Sequence, residues 1–269
     1  MSTIRVSKES GNEMSASAAP SGSLPKGLAM LELLSSNEGS MGITALAQRM
    51  HIPKSGVHRL LQVLRDNGWV RQTLSGEYEC TLKLWELGQR LASKIDLRRA
   101  AKAAMRELAA RTRETIMLSV LDGSEVLYLE VLDSPQPVRV HTNPGDRAPA
   151  FCMATGKALL AHAPAAVIDS VAGNLHKFTA RTITTRAKLE RELEGVRQRG
   201  FAVSHGEWNE GVMGIASPLF DSSFQAVAAI SIGAPSERMS DVVVNELAPL
   251  VVKAAQQVSR ELGCPSRER

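Results

Sequence analysis

The stretch from Thr44 to Tyr78 constrains this chain more than any other, because periodicities and chain breakers alternate there at close intervals. A first helix precedes it: Leu24, Leu28, Leu31 and Leu34 recur at helical spacing, and Asn37-Glu38-Gly39-Ser40 has the chemistry of a turn. Thr44 then reads as the N-cap of a short second helix whose Leu46, Ala47 and Met50 share a face, and Pro53 ends it. A third helix runs from about Pro53 to Asn67 and stops at Gly68, where a left-handed cap is cheapest. Beyond Gly68 the period becomes two, with Trp69, Val70 and Arg71 facing Tyr78, Cys80 and Leu82 across a Ser75-Gly76 turn. Helix, short helix, three-residue turn, helix, glycine and hairpin together predict a winged helix-turn-helix.

The third helix carries the chemistry. Val57, Leu60, Leu61 and Leu64 fall at i, i+3, i+4 and i+7 and form one apolar face, while Ser55, His58, Arg59 and Gln62 have the same spacing on the other. Short hydrogen-bonding side chains and an arginine can reach base edges in a major groove, and Arg59 can grip guanine with two bonds. Lys54 and Arg65 at the helix ends, Thr44 at the front of the short helix and Arg71 in the wing complete the expected DNA-facing set, with contacts suited to the backbone. Between Thr44 and Gln72 five lysines or arginines meet one aspartate, a local basic surface that the net charge of +4 conceals. Trp69 and Tyr78 are expected to pack the wing.

A chain of 269 residues with 43% hydrophobic content accommodates two domains. The expected division is an arm over 1–23, disordered for want of apolar residues, a winged helix over 24–84, a linker helix over 85–95, a second domain over 96–263 and a tail over 264–269. Cys80, Cys152 and Cys264 lie too far apart for a disulfide framework or a zinc motif. The first 22 residues lack the apolar core of a signal peptide, and no apolar run reaches the length of a membrane span, so a soluble cytoplasmic protein is expected.

The second half alternates types: strands TIMLSVL, EVLYLEVL and PVRVHT, helices over 155–162, 165–172 and 186–199, strands FAVSH, GVMGIASPLF and AVAAISIGA, and a closing helix over about 240–262. That order indicates an α+β domain. The basic helix over 96–113, with Leu97, Ala101, Ala104 and Leu108 as an apolar stripe, reads as a linker or dimer element. ATGKALL is no phosphate-binding loop, because Phe151 stands where the first glycine belongs and Ala158 follows the lysine. It is instead a helix start with Thr155 near the N-cap, whose free N–H groups favour an anion. His141, Cys152, His205 and Glu207 have no metal-site spacing, and no nucleophile motif surrounds Cys152 or His205. Neither a catalytic residue nor a cofactor is expected.

The segments ITALAQRMHIPKSGVHRLLQVLRDNGWV, GDRAPAFCMATGKALLA, RGFAVSHGEWNEGVMGIASPLFD and AVAAISIGAPSER resemble the isocitrate lyase regulator (IclR) family of bacterial transcription factors over nearly the whole ordered chain. The resemblance implies a GAF-like effector domain with a central antiparallel sheet, and a homodimer or dimer of dimers on a palindromic site in double-stranded promoter DNA. It also implies an effector site: the backbone at Ala154 and Thr155 for a small carboxylate, Pro137 and Val140 as walls, and Ser204, Gly214, Ser231 and Gly233 at positions of polar contact. Here Ser204 replaces an acid, Gly214 a thiol and Gly233 a hydroxyl, so the expectation is a roomier pocket for an aromatic or otherwise extended carboxylate rather than glyoxylate or pyruvate. The alternatives are an enzyme with a fused winged helix that regulates its own operon, and a winged helix that binds protein instead of DNA.

Overall fold

The computed structural model describes residues 4–5, 22–37, 39–94 and 97–265. Most of the expected arm, Glu38, the boundary residue Ile95 and residues 266–269 of the tail lie outside the described residues. The chain forms two compact units, one within Ser10–Ile95 and one within Asp96–Arg269 that also takes in the strand β1 (Ile4–Arg5).

In the first unit α1 (Ser23–Ser36), α2 (Ile43–Met50) and α3 (Lys54–Asp66) precede the strands β2 (Val70–Gln72) and β3 (Tyr78–Cys80), and α4 (Lys83–Lys94) follows. Met30, Leu31, Leu34, Leu46, Val57, Leu61 and Leu64 bury together under Val70 and Tyr78, while Leu60 is half-buried. Leu24 and Leu28, at the outer end of the α1 stripe, stay exposed. Thr44 does not cap α2: the helix starts one residue earlier, with Ile43 packed against the core, and Gly42 in extended conformation is the cap. Between α2 and α3 the chain turns through His51, held left-handed at φ 53°. Gly68 is left-handed too, at φ 73°, where any L-residue would be strained. The wing is secured to the helices by Met41 and Tyr78, which exchange two backbone hydrogen bonds of 2.8 and 2.9 Å.

The second unit contains α5 (Leu97–Thr112), β4 (Thr115–Asp122), β5 (Glu125–Leu132), β6 (Val140–His141), β7 (Arg147–Pro149), α6 (Ala154–Leu160), α7 (Ala165–Ala172), α8 (Arg186–Arg199), β8 (Ala202–His205), β9 (Val212–Phe220), β10 (Ala226–Pro235) and α9 (Asp241–Glu261). Six strands form an antiparallel sheet in the order β7-β5-β4-β10-β9-β8. Alternation along each strand feeds two cores. Ile116, Leu118, Ile215, Ile230 and Ile232 face α5 and α9, whereas Met117, Val126, Tyr128, Ala216 and Ala229 face α6 and α8. The fold class is therefore the expected one, α+β with a winged helix-turn-helix and a helix-flanked antiparallel sheet.

Three local expectations change. The stripe on α5 is buried in the first of these cores, so this basic helix packs as part of the domain rather than serving as a free linker. PVRVHT shortens to the two residues of β6, because Pro135 and Pro137 supply no ladder donors; β6 pairs with β1 in parallel instead of joining the main sheet. Ile4–Arg5 is accordingly a paired strand inside what the sequence suggests is a disordered arm. β7 was not foreseen, since three residues are too few to show a period.

Candidate DNA-reading surface and ligand cavity

On α3 the buried face of Val57, Leu61 and Leu64 fixes the rotation of the helix, so Lys54, Ser55, His58, Arg59 and Gln62 are all exposed along the opposite face. Thr44 is exposed at the second position of α2. Two cations are partly committed elsewhere. Arg65 lies 3.7 Å from Asp66, and Arg71 donates from Nε to Glu79 Oε1 at 2.6 Å across the hairpin. Arg71 is thus braced to the wing, whose tip, Thr73 to Glu77, carries no cation.

The second constellation is built by strand register. Ser204 on β8 stands opposite Gly214 on β9, Gly214 opposite Gly233 on β10, and Gly233 opposite Thr115 on β4. The next row on that face sets Ala216, Ser231 and Met117 side by side. Above these rows lies the first turn of α6. Its seat is tight: a Cβ on Gly156 would come within 2.0 Å of the Ala150 carbonyl oxygen, so only glycine lets α6 approach the 3-10 turn over Ala150–Cys152. Val140 is brought in by β6, whose carbonyl at that residue accepts the Thr115 hydroxyl at 2.7 Å.

Val140, Ala154, Thr155, Ser204, Gly214, Ser231 and Gly233 consequently line one cavity, together with Met117, Tyr128, Met153 and Met213. Pro137 does not; it is exposed in the loop before β6. Thr155 is near the N-cap of α6 as expected, the cap itself being Met153 and Thr155 the second residue of the helix. The room that the two glycines release is already taken. A Cβ on Gly233 would meet Met117 Cε at 2.7 Å, and one on Gly214 would meet Ser204 Oγ at 3.1 Å. Sequence reasoning passed over Tyr128 and Met117, although the alternation in EVLYLEVL already sets Tyr128 on the same face as Val126.

Behind the cavity, Lys157 Nζ donates to Glu207 Oε1 at 2.5 Å, with both side chains buried, and lies 3.6 Å from Glu192. The pair joins α6, which bears Thr155, to the β8–β9 connection that follows Ser204. Burial pushes the Glu207 carboxyl above the usual carboxylate range against the pull of Lys157. Burial, with the Lys157 charge, also lowers His205. Cys152 is pushed up by burial, and a thiol held protonated is a poor nucleophile. Among the described residues no group of three or more His, Cys, Asp or Glu is arranged to hold a metal, and no helix is long and apolar enough to cross a membrane.

Comparison with known proteins follows the same division. Residues 23–74 match the model of the IclR helix-turn-helix domain, and residues 89–260 match that of the bacterial transcriptional regulator IclR C-terminal domain. The chain belongs to the IclR family. The HTH-type transcriptional regulator KdgR of Escherichia coli is 36% identical over 229 residues, covering 84% of this chain and 87% of KdgR. Among solved structures, IclR of Thermotoga maritima is 27% identical with a TM-score of 0.76, covering 89% of this chain and 98% of its own. An IclR homolog complexed with 4-hydroxybenzoate, from Microbacterium hydrocarbonoxydans, is 26% identical with a TM-score of 0.80, covering 90% and 99%. This IclR-family chain is a DNA-binding transcriptional regulator, and the curated relatives it matches are named as regulators rather than enzymes.

Proposed function

We propose that this regulator binds a palindromic promoter site as a homodimer, or a dimer of dimers, and that a small carboxylate held in the sheet cavity sets its affinity for that site, in control of a catabolic operon. One observation carries the effector half of this reading: seven residues from β6, α6, β8, β9 and β10, scattered over nearly a hundred positions, converge on one cavity that no charged side chain lines. The first N–H groups of α6 have no acceptor within the helix and suit a carboxylate, and the Thr155 hydroxyl beside them has no partner among the described residues. An aromatic carboxylate fits once Met117, a flexible side chain, swings away from Gly233; the family member that binds 4-hydroxybenzoate supports that class. Thermal shift of the full chain with pyruvate and a set of benzoates is the test, because a ligand that binds only the native state raises its melting temperature. Stabilisation by benzoates, with altered promoter affinity in a gel-shift titration, is expected. Tight binding of pyruvate alone would overturn the aromatic assignment.

The dimer is supported by apolar surface left uncovered on the DNA-reading unit: Leu24 and Leu28 on α1, Leu82, and Trp85 on α4 are 54–74% exposed. Sedimentation of the wild type and of Leu28→Glu/Trp85→Glu is expected to give a dimer or larger and a monomer, respectively. A monomeric wild type would overturn it.

A further inference from the structure

The strand that walls the cavity from outside the main sheet, β6, has one ladder partner among the described strands, and that partner is the N-terminal strand β1. Ile4 pairs with Val140 and Arg5 with His141, in parallel. β6 is otherwise a short span between two pinned ends. Before it, Ser134 donates from its backbone N–H to the Thr115 hydroxyl at 3.3 Å and from its own hydroxyl to the Arg113 carbonyl at 2.7 Å. After it, the Thr142 hydroxyl and the Asn143 N–H both donate to Asp146 Oδ2, at 3.1 and 2.8 Å. Between those ends Val140 is buried and lines the cavity, its Cγ1 3.4 Å from where a Cβ on Gly233 would lie. One residue of β6 thus serves both the cavity wall and the seat of β1.

We propose that the edge of β6 is a docking site for an extended segment, that its occupant is this chain's own N-terminal strand, and that the strap so formed couples filling of the cavity to release of the arm that leads into the winged helix. The coupling, though not the docking, rests on the reading of the cavity as the effector site. β1 belongs to the second unit, whereas α1 begins at Ser23 in the first, so residues 6–22 are a second covalent link between the units besides the one that joins α4 to α5. The occupant is argued from the chain itself: Thr3, Ile4 and Val6 are strand-forming residue types, and neither proline nor glycine occurs before Gly11. Being attached, the segment also competes for β6 at an effective concentration that no free partner readily matches. A two-stranded pair of this length is marginal on its own. Its ladder bonds are opposed by the entropy of ordering the segment and of closing the loop from Arg5 to Val140. Terms of similar size leave the strap near balance, so it opens locally while the unit stays folded. What lies against Val140 then decides its state. A ligand packed there holds the β6 backbone in the register β1 requires, and by reciprocity a seated β1 strengthens ligand binding by the same factor.

Hydrogen exchange tests the docking without any ligand. The wild type is compared with a chain lacking residues 2–9 and with Ile4→Pro/Arg5→Pro, which keeps the length of the arm but removes its ladder donors. Amides of residues 139–142 are expected to exchange about two- to tenfold faster in both variants, the loss of roughly one ladder hydrogen bond, while those of α6 and α9 are unchanged. A peptide of residues 1–9, added to the truncated chain at roughly millimolar concentration to match the lost tether, should slow them again. Unchanged exchange in both variants would overturn the docking. Protection in the wild type that falls on dilution of the protein would overturn the assignment to the same chain and place the strand of a second copy on β6. Calorimetric titration with 4-hydroxybenzoate tests the coupling: affinity is expected to fall in both variants by the factor seen in exchange. Faster exchange with unchanged affinity would overturn the coupling and leave the docking standing. No binding by the wild type would overturn the coupling together with the aromatic reading of the cavity, and the exchange result would still decide the docking.

Discussion

The two units of this regulator place their chemistry on opposite sides of their folds. In the helix-turn-helix unit, the candidate DNA-contacting side chains are those the core rejects. Burying Val57, Leu61 and Leu64 is what turns Ser55, His58, Arg59 and Gln62 outward, so packing and function are two faces of one period within a single helix. In the second unit the candidate ligand-contacting side chains are inside, on the face shared with the core of α6 and α8, and they meet only through the register of β8, β9, β10 and β4. A surface site tolerates change in its own residues; an interior site transmits change to the fold that holds it.

The comparison is broken most forcefully at Gly156. With an added Cβ 2.0 Å from a backbone oxygen, neither partner can yield as a flexible side chain would. Gly156→Ala is expected to destabilise the sensing unit by more than about 4 kcal/mol, the range reserved for backbone and core disruption. Hydrogen exchange should show lost protection across 97–265 with protection over 23–83 retained. Uniform loss across both units would mean that they do not fold as separate units.

Lys157→Met comes next. It strands the Glu207 carboxyl in a buried site whose other oxygen, Oε2, already lacks a partner. Removing one member of a buried pair costs about 3 kcal/mol or more. The expected result is a lower denaturant midpoint together with weaker ligand binding, since the pair fixes α6 to the connection between β8 and β9. Glu207→Gln, which can still accept from Lys157, should lose less. Equal losses would argue that the pair contributes no more than packing.

On the outer surface the same kind of truncation should leave the fold intact. Arg59→Ala is expected to cost about 1–3 kcal/mol of promoter affinity and to relax preference at one base position, without moving the melting temperature. Lys54→Ala should instead weaken binding evenly across sequences and reduce the salt slope by about one. Unchanged promoter affinity in Arg59→Ala would point to a protein partner for the winged helix.

This contrast also explains what was legible in advance. The candidate DNA-facing set on α3 lies within a dozen positions, so helical spacing alone was enough to place Ser55, His58, Arg59 and Gln62 on the exposed face. The cavity could not be assembled that way. Ser204 and Gly233 lie 29 positions apart and meet only because β9 runs between their strands, and a register shift of one residue would turn either away. Family resemblance supplied those positions, but not Tyr128 or Met117. It also gave Pro137, which sits outside, and suggested free room at Gly233 where Met117 Cε already lies. Glycine for a larger residue opens space only when no neighbour moves in.

The smallest expected effect is a dependence on pH within the second unit. His205, half-buried at the end of β8, is lowered from its ordinary value near 6.5 by burial and then by the Lys157 charge, with Arg181 adding to this and Asp241 and Glu192 opposing it. A histidine lowered in the folded state binds its proton more readily when unfolded. Its contribution to stability is therefore present above about pH 6.5 and lost as the pH falls through the folded value. The sensing unit should be less protected from exchange at pH 5.5 than at pH 7.5, and His205→Asn should reduce that difference. Glu207, raised in the folded state, works in the opposite sense, favouring the fold below about pH 4.5 and losing that contribution as pH rises. Only the variant comparison isolates His205, and a pH difference that persists in full in His205→Asn would exclude His205 as its source.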